Sequence, residues 1–371
     1  MDIRRDFHRH PELSYQEHRT ASIVATLLAE WGFEVRTGIA GTGVLGTLRR
    51  GFGNRVIALR ADMDALPITE ATGLAYASET PGQMHACGHD GHTTILLAAA
   101  HTLATAGQFN GVVHVFFQPA EETGSGARRA IEEGLLDELQ PDAIFGLHNW
   151  PNVPAGQLGF VEGPAMAAVD QAHITIIGEG GHGAEPHKTI DPIVTAAYVI
   201  TALQTVVSRN TPPLDSAIVS VGAIHGGEAT NVIPSEVELK LTIRSFRPDI
   251  RKLLETRIPA IVSGQASSSG ARANIRYSLG VPPVNNHLKE TRFAQQVAEE
   301  IFAAEQIDTH FLPRTASEDF AYYLQKIPGS FVFLGNGDSA PLHNPHYDFN
   351  DENIVPAALY WSHLVERFLQ A

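Results

Sequence analysis

The sequence predicts an α/β fold: a mostly parallel sheet flanked by helices, interrupted by a smaller inserted α+β domain. Three observations carry this expectation. Near-continuous apolar runs alternate with helical segments toward both ends of the chain, which is how strands buried on both faces read. Acids and histidines follow several of those runs, where sites form in open α/β sheets. The middle of the chain instead alternates apolar and polar residues, as half-exposed strands do.

Taken in order, Ile23, Val24, Leu27, Leu28 and Trp31 recur at helical spacing, and Gly32 ends that helix. Residues 55–59, 111–117, 143–147 and 331–334 read as strands. Asp62 and Asp64 follow the first, Glu121 and Glu122 the second, and His148 the third; His343 follows the fourth by a short loop. An acid on a surface is usually just solvated, but paired acids directly after a buried strand fit that reading poorly. In the middle, 169–177, 217–224 and 237–244 read as strands, and 193–207 and about 249–262 as helices. Residues 263–270, rich in serine and glycine, read as a flexible loop. The expected division is a catalytic domain of residues 1–167 and 281–371, with residues 168–280 inserted between its halves.

With 371 residues, 43% of them hydrophobic and 18% charged, the chain can bury the cores of two domains. A net charge of −15 argues against nucleic acid or an anionic membrane surface as partner. No run is long enough to span a bilayer. The N-terminus is charged and lacks an apolar signal region, and a single cysteine forms no internal disulfide, so the expected location is the cytoplasm.

The chemistry concentrates in Met84-His-Ala-Cys-Gly-His-Asp-Gly-His92, which holds that cysteine among three histidines. Thiolate and imidazole are strong ligands for zinc-like ions. A lone cysteine is most often a small buried hydrophobe. Three histidines in the adjoining loop are harder to bury, because each needs a polar partner. A good helix former follows, so the cluster is expected at a helix N-terminus, where open N–H groups add positive potential. Cys87, His89, one of Glu121 and Glu122, His148 and His343 make five candidate ligands. A single catalytic zinc keeps three, so two ions suit the count better. The other glutamate is then placed to act as general base.

These residues resemble a known family. Arg60-Ala-Asp-Met-Asp-Ala-Leu-Pro67, the cysteine cluster, Gln118-Pro-Ala-Glu-Glu122, Gly146-Leu-His-Asn-Trp150, Gly180-Gly-His-Gly-Ala-Glu-Pro-His187 and Leu342-His-Asn-Pro345 look like motifs of the dinuclear metal amidohydrolases. That family includes hippurate hydrolase, N-acyl-amino-acid deacetylases and auxin–amino acid conjugate hydrolases. The resemblance implies that Cys87, His89, Glu122, His148 and His343 hold two divalent ions, zinc or manganese, with cobalt or nickel as alternatives. It implies Glu121 as general base and Asp64 as an orienting partner of the ligands. Asp62 stands where more distant relatives differ, and is left out of the ligand set. The inserted domain then serves as lid and dimerisation domain, and the partner is a second copy. His182 would reach the substrate carbonyl in the neighbouring subunit, and Asn231 and Arg244 would hold an N-acyl amino acid. A guanidinium suits a carboxylate, although a surface salt bridge is an equally good reading of Arg244 from the sequence alone.

The expected activity is hydrolysis of the amide bond of N-acyl-L-amino acids. A dipeptidase or carboxypeptidase of the same clan is the alternative. A cysteine-nucleophile hydrolase leaves Glu121, Glu122, His148 and His343 unexplained. A non-catalytic binding protein needs no base beside a ligand carboxylate.

Overall fold

The computed structural model describes residues 1–370. The chain divides into two units: Met1–Ala165, Asn285–Leu312 and Asp319–Ala371 form the first, and Met166–Val284 with Pro313–Glu318 the second.

The first unit is built on an eight-stranded sheet. At its centre Gly111–Gln118, Val56–Asp62, Ala143–Trp150 and Gly329–Gly335 lie side by side, all parallel. Glu34–Ile39 and Gly43–Arg50 extend one side as antiparallel strands, and the short Leu158–Gly159 and Ile307–Asp308 finish the other. The mixed, mostly parallel sheet flanked by helices is the predicted class. The central strands Gly111–Gln118 and Gly329–Gly335 are buried at every position, which is why they read as unbroken apolar runs. Helices His18–Glu30, His89–Thr105 and Ile354–Phe368 contribute Val24, Leu28, Ile95, Leu103, Trp361 and Leu364 to one core with Leu59, Val115 and Phe145. Gly32, at φ +86°, follows the first of these helices as expected.

The third strand runs further than its apolar stretch indicates. His148 sits inside Ala143–Trp150, paired with Phe333, rather than beyond its end. The neighbouring strand Gly329–Gly335 hydrogen-bonds along the whole length, so pairing carries the strand past its last aliphatic residue.

The second unit has a four-stranded antiparallel sheet in the order Ala217–His225, Glu236–Ser245, Ala168–Ile177, Arg272–Leu279. Helices Pro192–Thr205 and Pro248–Ser268 pack on it, with Leu203, Ile258, Ile174 and Leu241 in the core. Asp191 caps the first helix by accepting from the N–H groups of Ile193 and Val194. One expectation fails here. Residues 263–268 are helical, not a flexible loop. Ile250, Leu254, Ile258, Val262 and Ala266 form a buried stripe at four-residue spacing. Packing along that stripe outweighs the poor propensity of serine and glycine. The edge strand Arg272–Leu279 went unrecognised, because it carries only Ala273, Ile275 and Tyr277 on its packed face.

Candidate metal centre

The cluster Met84–His92 is held from both sides. Leu66 and Met84 exchange backbone hydrogen bonds of 3.0 Å on the approach. Gly88 then starts the helix His89–Thr105 at φ +92°. A Cβ at Gly88 would lie 2.2 Å from Asn149 Oδ1 and 2.7 Å from the Tyr347 hydroxyl, so only glycine fits. His89 is therefore the first residue of the helix, which begins inside the cluster, four residues before the helix-forming run at Thr93 where the sequence places its start. His343 joins through its backbone: its N–H donates to Ala86 O at 2.8 Å, and it adopts φ +63°. A non-glycine residue in that region is uncommon and marks a position fixed by its surroundings.

The five candidate ligands converge. Cys87 Sγ lies 3.4 Å from His148 Nε2. His343 Nε2 lies 3.3 Å from Glu122 Oε1, and His89 Nε2 lies 3.9 Å from the same oxygen. Ligand atoms of Cys87, His89 and His148, of Cys87, Glu122 and His343, and of His89, Glu121 and Glu122 each fall within 4.8 Å of one another. All six residues belong to the first unit.

These side chains fit a metal ion by a further test. His89 Nε2 and Glu122 Oε1 are buried without a hydrogen-bond partner, yet face each other. Such groups are costly unless something pairs with them. The imidazoles are also turned the right way. His148 Nδ1 donates to Asn149 O at 2.7 Å, which leaves Nε2 toward Cys87. His89 Nδ1 lies 3.3 Å from Asp64 Oδ1, which leaves Nε2 toward Glu122. Ligating histidines are usually oriented in this way by a second hydrogen bond.

The local field favours positive charge. Burial opposes protonation of His89, but Asp62, Asp64 and Glu122 outweigh it and push the imidazole up to about 10. A divalent cation meets the same field. Burial holds His148 well below the usual histidine range, assisted by His92, so it stays in the neutral form that ligates. Burial drives the Cys87 thiol up, and Glu122, Glu121 and Asp62 drive it further.

Asp64 does more than face His89. It accepts from the backbone N–H groups of Glu121 at 3.1 Å and Glu122 at 3.0 Å, and from Ser14 Oγ at 2.7 Å. Asp62 is occupied otherwise: His92 Nδ1 lies 2.7 Å from Oδ1, and Arg60 donates to Oδ2 at 2.6 Å. Sequence reading missed this outer shell. His92 is also 2.7 Å from Asn149 Oδ1. Arg60 donates to Gln118 and Asp319, and the Asp319 N–H reaches Glu121 Oε1 at 3.3 Å. His92 and Asn149 stand inside the recognised motifs, and that was the available signal. Asp319 had none.

The remaining candidates lie in the second unit. His182 and Asn231 are neighbours there: Gly181–His182 pairs with Val232–Ile233, and Gly183 N–H donates to Asn231 O at 2.8 Å. Both side chains are exposed. Arg244 lies on the four-stranded sheet, half-buried, with Nη1 unpartnered.

Fold and cluster together define a metal-dependent hydrolase on an α/β scaffold, whose side-chain clusters support two divalent ions. The family model for peptidase family M20/M25/M40 matches residues 58–367, and the chain belongs to that family. A hippurate hydrolase from Campylobacter jejuni is 42% identical over 368 residues, covering 99% of this chain and 96% of that one. An N-acetyl-L-cysteine deacetylase from Bacillus subtilis is 42% identical over 372 residues, covering 100% and 88%. A solved structure of a dinuclear metal-binding peptidase of the M20 family, also from Bacillus subtilis, superposes with a TM-score of 0.88. It is 35% identical, covering 99% of this chain and 97% of that one.

Proposed function

We propose that this enzyme hydrolyses the amide bond of N-acyl-L-amino acids of the hippurate or N-acetyl type. The observation that carries the reading is the facing pair His89 Nε2 and Glu122 Oε1, each buried without a hydrogen-bond partner among the described residues, with His343 Nε2 and Glu121 beside them. Cys87, His89, Glu122, His148 and His343 are the residues suited to hold two divalent ions. Zinc is favoured by the thiolate and manganese is compatible with the carboxylate and imidazoles, with cobalt and nickel as further candidates. Bound there, such ions would polarise a carbonyl and acidify a water.

The protein's own groups supply the rest. Glu121 accepts the proton of the attacking water and returns it to the departing amine nitrogen. His182, reaching the site of a second copy of the chain, donates to the oxyanion, and Asn231 and Arg244 hold the amino-acid part, Arg244 through a guanidinium nitrogen without a hydrogen-bond partner among the described residues. The relatives' names support the substrate class. A homodimer formed through the second unit is supported by apolar side chains left exposed there: Ile193, Val194 and Tyr198 on one helix, and Ile224 on the edge strand.

The test is metal stripping followed by reloading with single metals, assayed on a panel of N-acyl amino acids, dipeptides and acyl amides without a carboxylate. Restored turnover of N-acyl amino acids above the other classes is expected. Turnover unaffected by stripping, or preference for dipeptides, would refute the reading.

A further inference from the structure

Glu121 and Glu122 leave the central sheet on a turn whose geometry is unfavourable in itself. Ala120 sits at φ +56°, a region that non-glycine residues avoid, and is fully buried. Three successive N–H groups, those of Ala120, Glu121 and Glu122, point into the protein. Two buried carboxylates receive them. Asp64 takes the last two, and Glu17 takes the first, its Oε1 accepting from Ala120 N–H at 2.9 Å. The other oxygen of Glu17 accepts from Thr42 Oγ1 at 2.5 Å, so both oxygens are engaged.

Glu17 stands at the N-cap of helix His18–Glu30, where a side chain ordinarily satisfies the helix's own first N–H groups. It does not do so here. Glu12 accepts from Arg19 N–H and Thr20 N–H, both at 2.8 Å, and takes over that duty. Glu17 is released to face the turn, and it is wholly buried. The residues around it brace the same turn. Ser14 Oγ donates to Asp64, and the Tyr15 hydroxyl lies 2.7 Å from Ser125 Oγ. Among the described residues no ion pair involves Glu17, and a buried carboxylate so placed is expensive to keep, so its retention here calls for an explanation.

We propose that Glu17 is a positioning residue for hydrolysis: it holds Ala120 in its left-handed conformation and so aims the Glu121 carboxylate. The inference rests on Glu121 being the general base. A misplacement of about 1 Å at a reacting group reduces rates by about a hundredfold. Glu17→Ala is therefore expected to lower kcat by about 10- to 100-fold, with KM within about twofold and metal content unchanged. Glu17→Gln should recover most of the rate, since its amide oxygen can still accept from Ala120 N–H. Glu17→Asp, one methylene shorter, should not.

The deciding measurement is the double variant Glu17→Ala/Glu121→Gln. If Glu17 acts through Glu121, the double variant is no slower than Glu121→Gln alone. Multiplied losses, a Glu17→Ala kcat within twofold of wild type, or a loss that follows metal content would overturn the proposal. Should Glu17→Ala not fold, Glu17→Gln against Glu17→Asp decides: equal kcat values overturn it. Failure of the underlying reading looks different, because Glu121→Gln would then itself keep its activity.

Discussion

At the scale of single residues, burial and pairing give different surroundings to two acids that the family resemblance already sets apart. Asp62 and Asp64 are two apart and both buried, yet Asp62 is taken up by His92 and Arg60, whereas Asp64 faces His89 and the turn of the two glutamates. Arg244 gains from the same kind of evidence. From the sequence a surface salt bridge is an even alternative; in the structure no ion pair involves Arg244 among the described residues, and its buried Nη1 has no hydrogen-bond partner there. Arg244→Ala is expected to lower kcat/KM on a free-acid substrate by about 30- to 100-fold, or about 2–3 kcal/mol, the range for a hydrogen bond to a charged group. The ester of the same substrate should lose much less. Steady-state kinetics on the pair checks this, and equal losses would make Arg244 a structural residue. The candidate cluster stood out in the sequence because cysteine, histidine and paired glutamates are poorly explained as core in their contexts. The outer shell did not. Arg60 meets Asp319 across 259 residues of sequence, and nothing local to either announces the other.

At the scale of elements, the central strands could be read from their apolar runs, but not their ends. Hydrogen bonding to a neighbour extends Ala143–Trp150 over His148, and a buried stripe extends Pro248–Ser268 over a serine-rich stretch. Both are tertiary effects that override local propensity. One strand carries a titration consequence. His114, buried within Gly111–Gln118, lies 2.9 Å from Thr47 Oγ1. Burial pulls its imidazole down to about 4, below the ordinary value of about 6.5 that an unfolded chain shows. The folded state therefore binds fewer protons than the unfolded state between those values. Stability from this residue is complete above pH ~6.5 and is lost as pH falls through about 4, up to about 3 kcal/mol in all. His114→Gln removes the titration and keeps a partner for Thr47. In urea unfolding, the variant is expected to gain on wild type as pH drops from 7 to 4. Parallel stability–pH curves would show that His114 does not titrate in this way.

At the scale of the whole molecule, the candidate ligand cluster belongs to one unit, and His182, Asn231 and Arg244 to the other. If the second unit pairs two chains and completes each site in trans, mixing two inactive variants restores activity. A mixed dimer of His182→Ala and Glu121→Gln has one site with both defects and one with neither. About half of the wild-type rate per mixed dimer is expected once subunits exchange, with tagged co-purification reporting the exchange. Exchange without recovered activity would place His182 in its own chain's reaction, or outside the reaction.

The central claim is that adjacent glutamates divide the work: Glu122 ligates and Glu121 moves the proton. Elemental analysis of Glu121→Gln and Glu122→Gln, read beside their hydrolysis rates, tests it most directly. Glu121→Gln is expected to keep two ions per chain while kcat falls by about 10²–10⁴-fold, the range for a lost general base. Glu122→Gln is expected to lose metal and activity together. Full metal content in Glu122→Gln with depleted metal in Glu121→Gln would reverse the two roles, and full activity in either variant would contradict the mechanism.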